Sequence, residues 1–255
     1  MSRAAALSLF VTGSLLTVSL MAQAPAPASG APVPQTAPGP GRQAAPPPAP
    51  LPPPGPMPTP PAVKLESGYT SLFNGKDLTG WKIGGPAESF MVENGVIRAN
   101  GVKGAGHLFY DGPVMNHVFR NFDLRLDVAT RTKSNGGVYI LTDVVDSGFP
   151  TKGFEVQLNN SHTDRVRTGS LYHVVDLSNI PAKDDEWFSM EIQVKGQTVT
   201  VWVKGEQVLQ WTQPAGWTTN YDTPSRRIDP GTIAFQAHDP NSYTYYANIR
   251  IKDLK

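Results

Sequence analysis

Residues 188–208 read Phe188-Ser189-Met190-Glu191-Ile192-Gln193-Val194-Lys195-Gly196-Gln197-Thr198-Val199-Thr200-Val201-Trp202-Val203-Lys204-Gly205-Glu206-Gln207-Val208. Met190, Ile192 and Val194 alternate with Glu191 and Gln193, a period of two that puts apolar side chains on one face of a strand and polar ones on the other. Lys195-Gly196 interrupts the run, Val199, Val201 and Val203 resume it, and Lys204-Gly205 turns the chain into Val208. Short strands joined by glycine turns are the grammar of an antiparallel sheet.

The same grammar extends in both directions from there. Phe122, Leu124, Leu126 and Val128 alternate with Asp123, Arg125 and Asp127, and Phe90-x-Val92 and Val96-x-Arg98 flank Asn94-Gly95. Asn-Gly can take the two positive φ angles of a type I′ hairpin turn. Further strands are expected at 138–141, 154–159, 170–175, 233–238 and 245–251, with Leu72-Phe73 pairing beside Ile249 to Ile251. About a dozen short strands and no helical stripe predict an all-β fold, two packed antiparallel sheets in a jelly-roll sandwich. No GxGxxG or GxxxxGK[ST] motif follows a strand, which sets dinucleotide and P-loop folds aside.

The first 64 residues differ from the rest. They hold 17 of the 25 prolines, three basic side chains (Arg3, Arg42, Lys64) and no acidic one. Residues 1–24 read as a signal peptide, with Arg3, an apolar run and Ala22-Gln23-Ala24 as the cleavage motif. Removal of that segment leaves no transmembrane span, and the expected location is the periplasm or the outside of the cell. Residues 25–64 are a Pro/Ala-rich linker too poor in large apolar groups to offset its ordering entropy. Its proline content makes it stiff, with a reach of at most ~120 Å. PxxP patterns within it admit a second reading as ligands of SH3-type domains. Residues 65–255 form the globular unit, with 19 basic against 21 acidic side chains. That balance gives no reason to expect nucleic acid. The chain contains no cysteine, which excludes disulfides and thiolate chemistry.

Candidate functional residues come from strand parity. In Phe154-Glu155-Val156-Gln157-Leu158-Asn159 the apolar residues share one face, so Glu155, Gln157 and Asn159 share the other. Gln236 and His238 lie opposite Ile233 and Phe235, and Tyr172 shares a side with Ser170. One such residue is ordinarily a solvated sheet face. Glu, Gln, Asn, Tyr and His gathered from several strands are better read as a polyol-binding groove, since amides and carboxylates supply paired donors and acceptors for hydroxyls. Asn135-Gly136-Gly137 opens a strand where glycine permits close approach. The loop from Asn159 to Arg165 brings His162 and Asp164 beside that face.

Several stretches resemble one known family. Leu72-Phe73-Asn74-Gly75-Lys76-Asp77-Leu78-Thr79-Gly80-Trp81 is similar to the LFNGKDLxGW opening of the 3-keto-disaccharide hydrolase domain family. Asn135-Gly136-Gly137-Val138 resembles its NSGI, Gly153-Phe154-Glu155-Val156-Gln157 its GYEVQ, and Thr168-Gly169-Ser170-Leu171-Tyr172 its TGxxY. Gly231 to His238 resembles GxIxLQxH, and Asn248-Ile249-Arg250-Ile251 the closing NIRI. The likeness runs from about Tyr69 to Leu254, with two departures: Leu141 stands where NSGIxxR carries Arg, and Trp187-Phe188 where WN is usual.

The resemblance implies a concanavalin-like jelly roll acting on glycosides oxidised at C3, which a partner sugar 3-oxidoreductase would supply. Such a substrate needs a base for its C2 proton and an acid for the leaving C1 oxygen. Glu155 and His238 are the candidates for that work. Asn135, Gln157, Gln236 and Tyr172 would hold hydroxyls or polarise the ketone, and Asn159, His162, Asp164 and Arg167 would line the groove. No cofactor and no metal are expected. The competing reading is a non-catalytic carbohydrate-binding domain on a cell-envelope tether, with Trp81, Trp211 or Trp217 as stacking platforms.

Overall fold

Asn94 and Gly95 have φ of 51° and 79°, and Glu93 pairs with Val96 across them, so the Asn-Gly hairpin forms as a two-residue turn. Lys204 and Gly205 repeat the device at φ of 55° and 79°. These turns belong to a computed structural model that describes residues 54–55, 57–218 and 226–255. The expected signal peptide and residues 25–53 of the expected linker lie outside the described residues.

Thirteen strands follow in chain order among the described residues. They are β1 (Thr70–Ser71), β2 (Trp81–Gly84), β3 (Phe90–Glu93), β4 (Val96–Asn100), β5 (Gly106–Tyr110), β6 (Phe122–Thr130) and β7 (Gly136–Thr142). After these come β8 (Phe154–Leu158), β9 (Phe188–Lys195), β10 (Thr198–Val203), β11 (Glu206–Thr212), β12 (Thr232–Ala237) and β13 (Tyr243–Asp253). The only helical pieces described are 3₁₀ turns at Ala87–Ser89 and Val114–His117, and no described helix is long and apolar enough to cross a membrane.

The strands make two antiparallel sheets. One runs β11-β10-β9-β6-β13-β4-β3, with β1 also paired to β13, and the other runs β2-β5-β12-β7-β8. The terminal strands meet, with the first strand two residues earlier than expected: Thr70 pairs with Ile251 and Ser71 with Arg250, and beyond it the Leu72 amide donates to the Ile249 carbonyl. The segment at 170–175 is not a strand. It makes single bridges, Val156 with Leu171 and Leu171 with Val175, and Val174 and Val175 turn back to the Leu171 carbonyl. It still lies along the free edge of β8, because the Tyr172 amide donates to the Glu155 carbonyl.

Between the sheets the inward residues of each strand form one core. Trp81 of β2 stacks on Phe235 of β12, which stacks on Tyr246 of β13 at 4.1 Å between ring centroids, joining the two layers. Trp81 is buried and its indole N–H donates to the Leu72 carbonyl, so it is a core residue and not a sugar platform. Parity then fixes what the five-stranded sheet shows on its outer side: His107 and Phe109, Gly137 and Tyr139, Glu155 and Gln157, Ala234 and Gln236.

Candidate active site

That outer face is not a solvated surface. Tyr139, Glu155, Gln157, Gln236 and His107 are all nearly inaccessible, because the β7–β8 connection and residues Tyr172 and Arg226 enclose a cavity of about 360 Å³ above the strands. Asn135, Tyr139, Glu155, Gln157, Gln236 and His238 line its floor and sides, with Phe149, Pro150, Thr151, Tyr172 and Arg226 around them.

Register places the chemistry. Phe109, Ala234, Tyr139 and Glu155 pair in turn across β5, β12, β7 and β8, and small Ala234 leaves room beside Tyr139. The Tyr139 hydroxyl donates to Glu155 Oε2 at 2.9 Å and accepts from Gln236 Nε2 at 3.2 Å. Gln157 Nε2 donates to Asn135 Oδ1 at 3.0 Å. With both amide nitrogens committed, Gln157 Oε1 and Gln236 Oε1 are left buried without a hydrogen-bond partner among the described residues. Buried orphan acceptors are costly unless something else satisfies them, and a hydroxyl-bearing ligand in the cavity would do so.

Gly137 explains how Glu155 fits. A Cβ there would lie 2.3 Å from Glu155 Oε1 and 2.7 Å from its Cγ, so the carboxylate lies across bare backbone. The close approach that glycine permits is thus made by a side chain of the neighbouring strand. Gly136 is likewise closed by Thr244 and the Gln236 carbonyl.

Electrostatics separate the two candidate catalytic groups. Burial pushes the Glu155 carboxyl up to about 7, and the Tyr139 hydrogen bond, with Arg226 and His238 acting at longer range, only partly restrains it. The hydrogen bond to Asp239 raises His238, against the smaller effect of its own burial. His238 Nδ1 lies 2.9 Å from Asp239 Oδ2. Burial alone would raise Asp239, but hydrogen bonds from His238 and Ser242 outweigh it and hold the carboxyl at about 2. Asp239 therefore keeps its charge and turns Nδ1–H toward itself, leaving Nε2 to exchange a proton. Below them His107 packs edge-on to Tyr139 at 4.8 Å and to Phe149 at 5.6 Å. Burial lowers it to about 4, so it is neutral; the Gly148 backbone pulls slightly the other way without reaching hydrogen-bond geometry with either ring nitrogen.

Of the ten residues expected at the groove, Glu155, His238, Asn135, Gln157, Gln236 and Tyr172 line the cavity. The other four build the wall behind it. Asn159 is fully buried, donates to the Asp164 and Val166 carbonyls, and accepts from the His162 amide and Arg167 Nη1. Arg167 also donates to the His162 and Asp164 carbonyls, so its guanidinium knots the loop and does not reach the cavity. Asp164 receives the Tyr172 hydroxyl at 3.2 Å, and the His162 ring sits 6.1 Å from that of His238. These two touch lining residues, Asp164 at Tyr172 and His162 at His238, without lining the cavity themselves.

Sequence parity missed Tyr139, His107, Phe149, Arg226 and Asp239. Tyr139 and His107 lie on β7 and β5, where glycine and aromatic residues on the outward face leave no clear polar alternation; Asp239 adjoins His238. Leu141 has φ of 57° at an irregularity in the β7–β12 register, and its side chain is fully buried in the core. A guanidinium enters the cavity by another route, from Arg226, whose Nη1 donates to the Tyr172 carbonyl. Trp211 packs against Phe154, and Trp217 packs on Trp211 and donates to the Arg226 carbonyl; neither lines the cavity.

Residues 68–252 match a family model described as a 3-keto-alpha-glucoside-1,2-lyase-like domain. The chain belongs to this family. A relative from Bacteroides thetaiotaomicron named 3-keto-disaccharide hydrolase is 25% identical over 230 residues, which cover 73% of this chain and 79% of the relative. A crystal structure of a candidate glycosyl hydrolase from Parabacteroides distasonis superposes with a TM-score of 0.62 at 26% identity, covering 74% of this chain and 94% of the other. A second such protein from that organism shares the fold at a TM-score of 0.56 and 21% identity, over 73% of this chain and 99% of its own.

Proposed function

We propose that the cavity cleaves glycosides whose sugar is oxidised at C3, 3-keto-disaccharides among them. The observation that carries this is the pairing of a buried Glu155, pushed up to about 7, with a His238 raised and oriented by Asp239, on one cavity whose floor presents two orphan amide oxygens. A conventional glycosidase needs two carboxylates facing each other across the scissile bond; here Glu155 is the one carboxylate among the described lining residues. A ketone at C3 makes one carboxylate sufficient, because it acidifies the C2 proton. The family to which the chain belongs and the name of its Bacteroides relative support the same substrate class.

In this mechanism ionised Glu155 takes the C2 proton, and the C2–H electron pair passes into the C3 carbonyl as an enolate. The enolate expels the C1 oxygen, which receives a proton from His238 as its bond to C1 breaks. Water then adds across the resulting C1–C2 double bond: its oxygen bonds C1 as neutral His238 takes its proton, and Glu155 returns the abstracted proton to C2, which restores both groups. A carboxylate raised by burial and an imidazole raised by its bond to Asp239 are a base and an acid suited to this sequence. Gln157 and Gln236 accept hydrogen bonds from sugar hydroxyls, and Arg226 and Tyr172 form the wall that faces the ketone or the aglycone. A sugar 3-oxidoreductase would have to act first, and the signal-like residues 1–24 would put both steps in the cell envelope.

The test is to offer the purified chain a 3-keto-disaccharide and its unoxidised counterpart. Cleavage of the oxidised sugar alone is expected, and His238→Ala should lower turnover by about 10² to 10⁴-fold, the usual contribution of a general acid or base. Equal binding of both sugars with cleavage of neither would overturn the reading in favour of a binding module.

A further inference from the structure

The other sandwich face, on the eight-stranded sheet, carries an aromatic patch that the proposed function does not use. Tyr243, Tyr245 and Ala247 of β13, with Val96 of β4 and Ala129 of β6, form a small apolar cluster on which Met57 and Trp187 pack. Residues 57–64 have no regular secondary structure and begin along this patch. Met57, Pro58, Thr59 and Pro60 form a groove with Val96 and Tyr245.

The hydrogen bonds have a period. Trp187 Nε1 donates to the Pro58 carbonyl at 2.6 Å and Asn248 Nδ2 to the Pro61 carbonyl at 2.8 Å, while Arg131 Nη2 donates to the Gly55 carbonyl. Acceptors at 55, 58 and 61 are three residues apart. Three residues make one turn of a polyproline II helix, so every third carbonyl points the same way. Pro58, Pro60 and Pro61 fix φ near the value of that helix, and each residue before a proline is driven to the same region.

The three donors come from separate elements and are each held in place. Arg131, just past β6, donates to Asp185 Oδ1 at 2.8 Å and lies over the Tyr245 ring. Asn248 occupies the irregularity of β13 with φ of 53°, and also donates to Asp127 at 2.6 Å. Trp187 precedes β9. A ladder of fixed donors beside aromatic rings is how proteins recognise proline-rich segments, whose stiff helix loses little entropy on docking.

We propose that this face of the eight-stranded sheet is a polyproline II receptor whose ligand is the chain's own segment 57–61, gripped at the Pro58 and Pro61 carbonyls, with the Gly55 carbonyl held one turn earlier. The last turns of the proline-rich stretch are then part of the domain.

Periodicity supplies the test, made on the full chain by following deuterium exchange of the Trp187 indole N–H. One proline inserted between Pro58 and Thr59 puts the carbonyls out of phase by a third of a turn; insertion of Pro-Thr-Pro restores the phase. Exchange should speed up by roughly tenfold or more with one residue and stay within about twofold of wild type with three. A free peptide of the sequence 52–61 should restore slow exchange in the one-residue variant, and Trp187→Phe should leave turnover unchanged. Equal exchange for the one-residue and three-residue variants would overturn the proposal. Protection that rises with protein concentration would overturn its intramolecular form by showing that the grip joins two copies.

Discussion

Glu66 and Glu155 occupy opposite outer faces of the same sandwich, and the protein moves their carboxyls in opposite directions. Glu66 receives Arg250 Nε at 2.6 Å and Nη2 at 2.8 Å, and this pairing lowers it to about 2. Arg125 lies between Glu66, Asp123 and Glu191 at 3.6, 3.3 and 3.1 Å, so the outer face of the eight-stranded sheet matches its carboxylates with guanidinium groups. On the five-stranded sheet Glu155 has no ion pair among the described residues. Its close polar partner is a tyrosine hydroxyl, and burial drives it up to about 7. An arginine in contact makes a carboxylate structural; burial without one keeps it available for proton transfer at neutral pH.

The sharpest way to break this contrast is to remove each charge in turn. Glu155→Gln should cost turnover of oxidised glycosides by at least 10² to 10⁴-fold and leave the fold intact, since the amide keeps the shape and can still accept from Tyr139. Glu66→Gln should leave turnover within about twofold and lower the melting temperature only slightly, because a partly exposed pair contributes about 1 kcal/mol or less. Steady-state kinetics and thermal melts on the two variants decide it. A Glu66 variant that loses turnover, or a Glu155 variant that keeps it, removes the distinction.

A smaller effect lies in the pH dependence of stability, where the two faces should respond with opposite sign. Glu155 is raised in the folded state, so its favourable contribution is complete below the ordinary value of 4.5 and fades as pH rises through about 7. Replacing it by Gln should therefore stabilise the protein more at pH 8 than at pH 5, by up to on the order of 2 to 3 kcal/mol. Glu66 is lowered, so its contribution is present above 4.5 and is lost as pH falls toward about 2. Glu66→Gln should destabilise at pH 7 and become neutral near pH 2. Urea melts at pH 5 and pH 8 test the first, and parallel trends in the two variants would contradict the opposite shifts.

The legible part of this molecule was the part that alternates. β9 to β11 and β6 show period two with glycine turns, and one side of each is apolar, so the sandwich could be read directly. Glu155, Gln157 and Gln236 were legible for the same reason, as polar residues on strands whose other face is plainly core. Alternation fails where the outward residues of a buried strand are glycine or aromatic rather than plainly polar. β7 and β5 read as apolar runs, which hid Tyr139 and His107, the groups that set the position and environment of Glu155. It also fails where a strand ends: Asn159 continues the parity of Glu155 and Gln157, but β8 stops at Leu158 and the side chain turns into the loop it organises. Arg226 reaches the cavity from outside any strand, and only tertiary structure could place it.

The finest adjustment on the five-stranded face is the Tyr139–Glu155 hydrogen bond, and Tyr139→Phe isolates it. The hydroxyl donates to the carboxylate and favours its ionised form, so it pulls Glu155 down from where burial alone would leave it. Removing it should move Glu155 above about 7, leaving less of the base ionised at neutral pH. The acid limb of kcat/KM against pH should then shift upward by roughly half a unit to one unit, the scale of one hydrogen bond to a charged group. Turnover should fall severalfold at pH 6 to 7 and recover as pH rises past 8, since phenylalanine fills the same space beside Ala234. Gln236 Nε2 loses its acceptor in the same substitution, which predicts a modest rise in KM that does not recover with pH. A uniform loss at every pH, with the limb unmoved, would mean that Tyr139 only packs and that burial alone sets the proton affinity of Glu155.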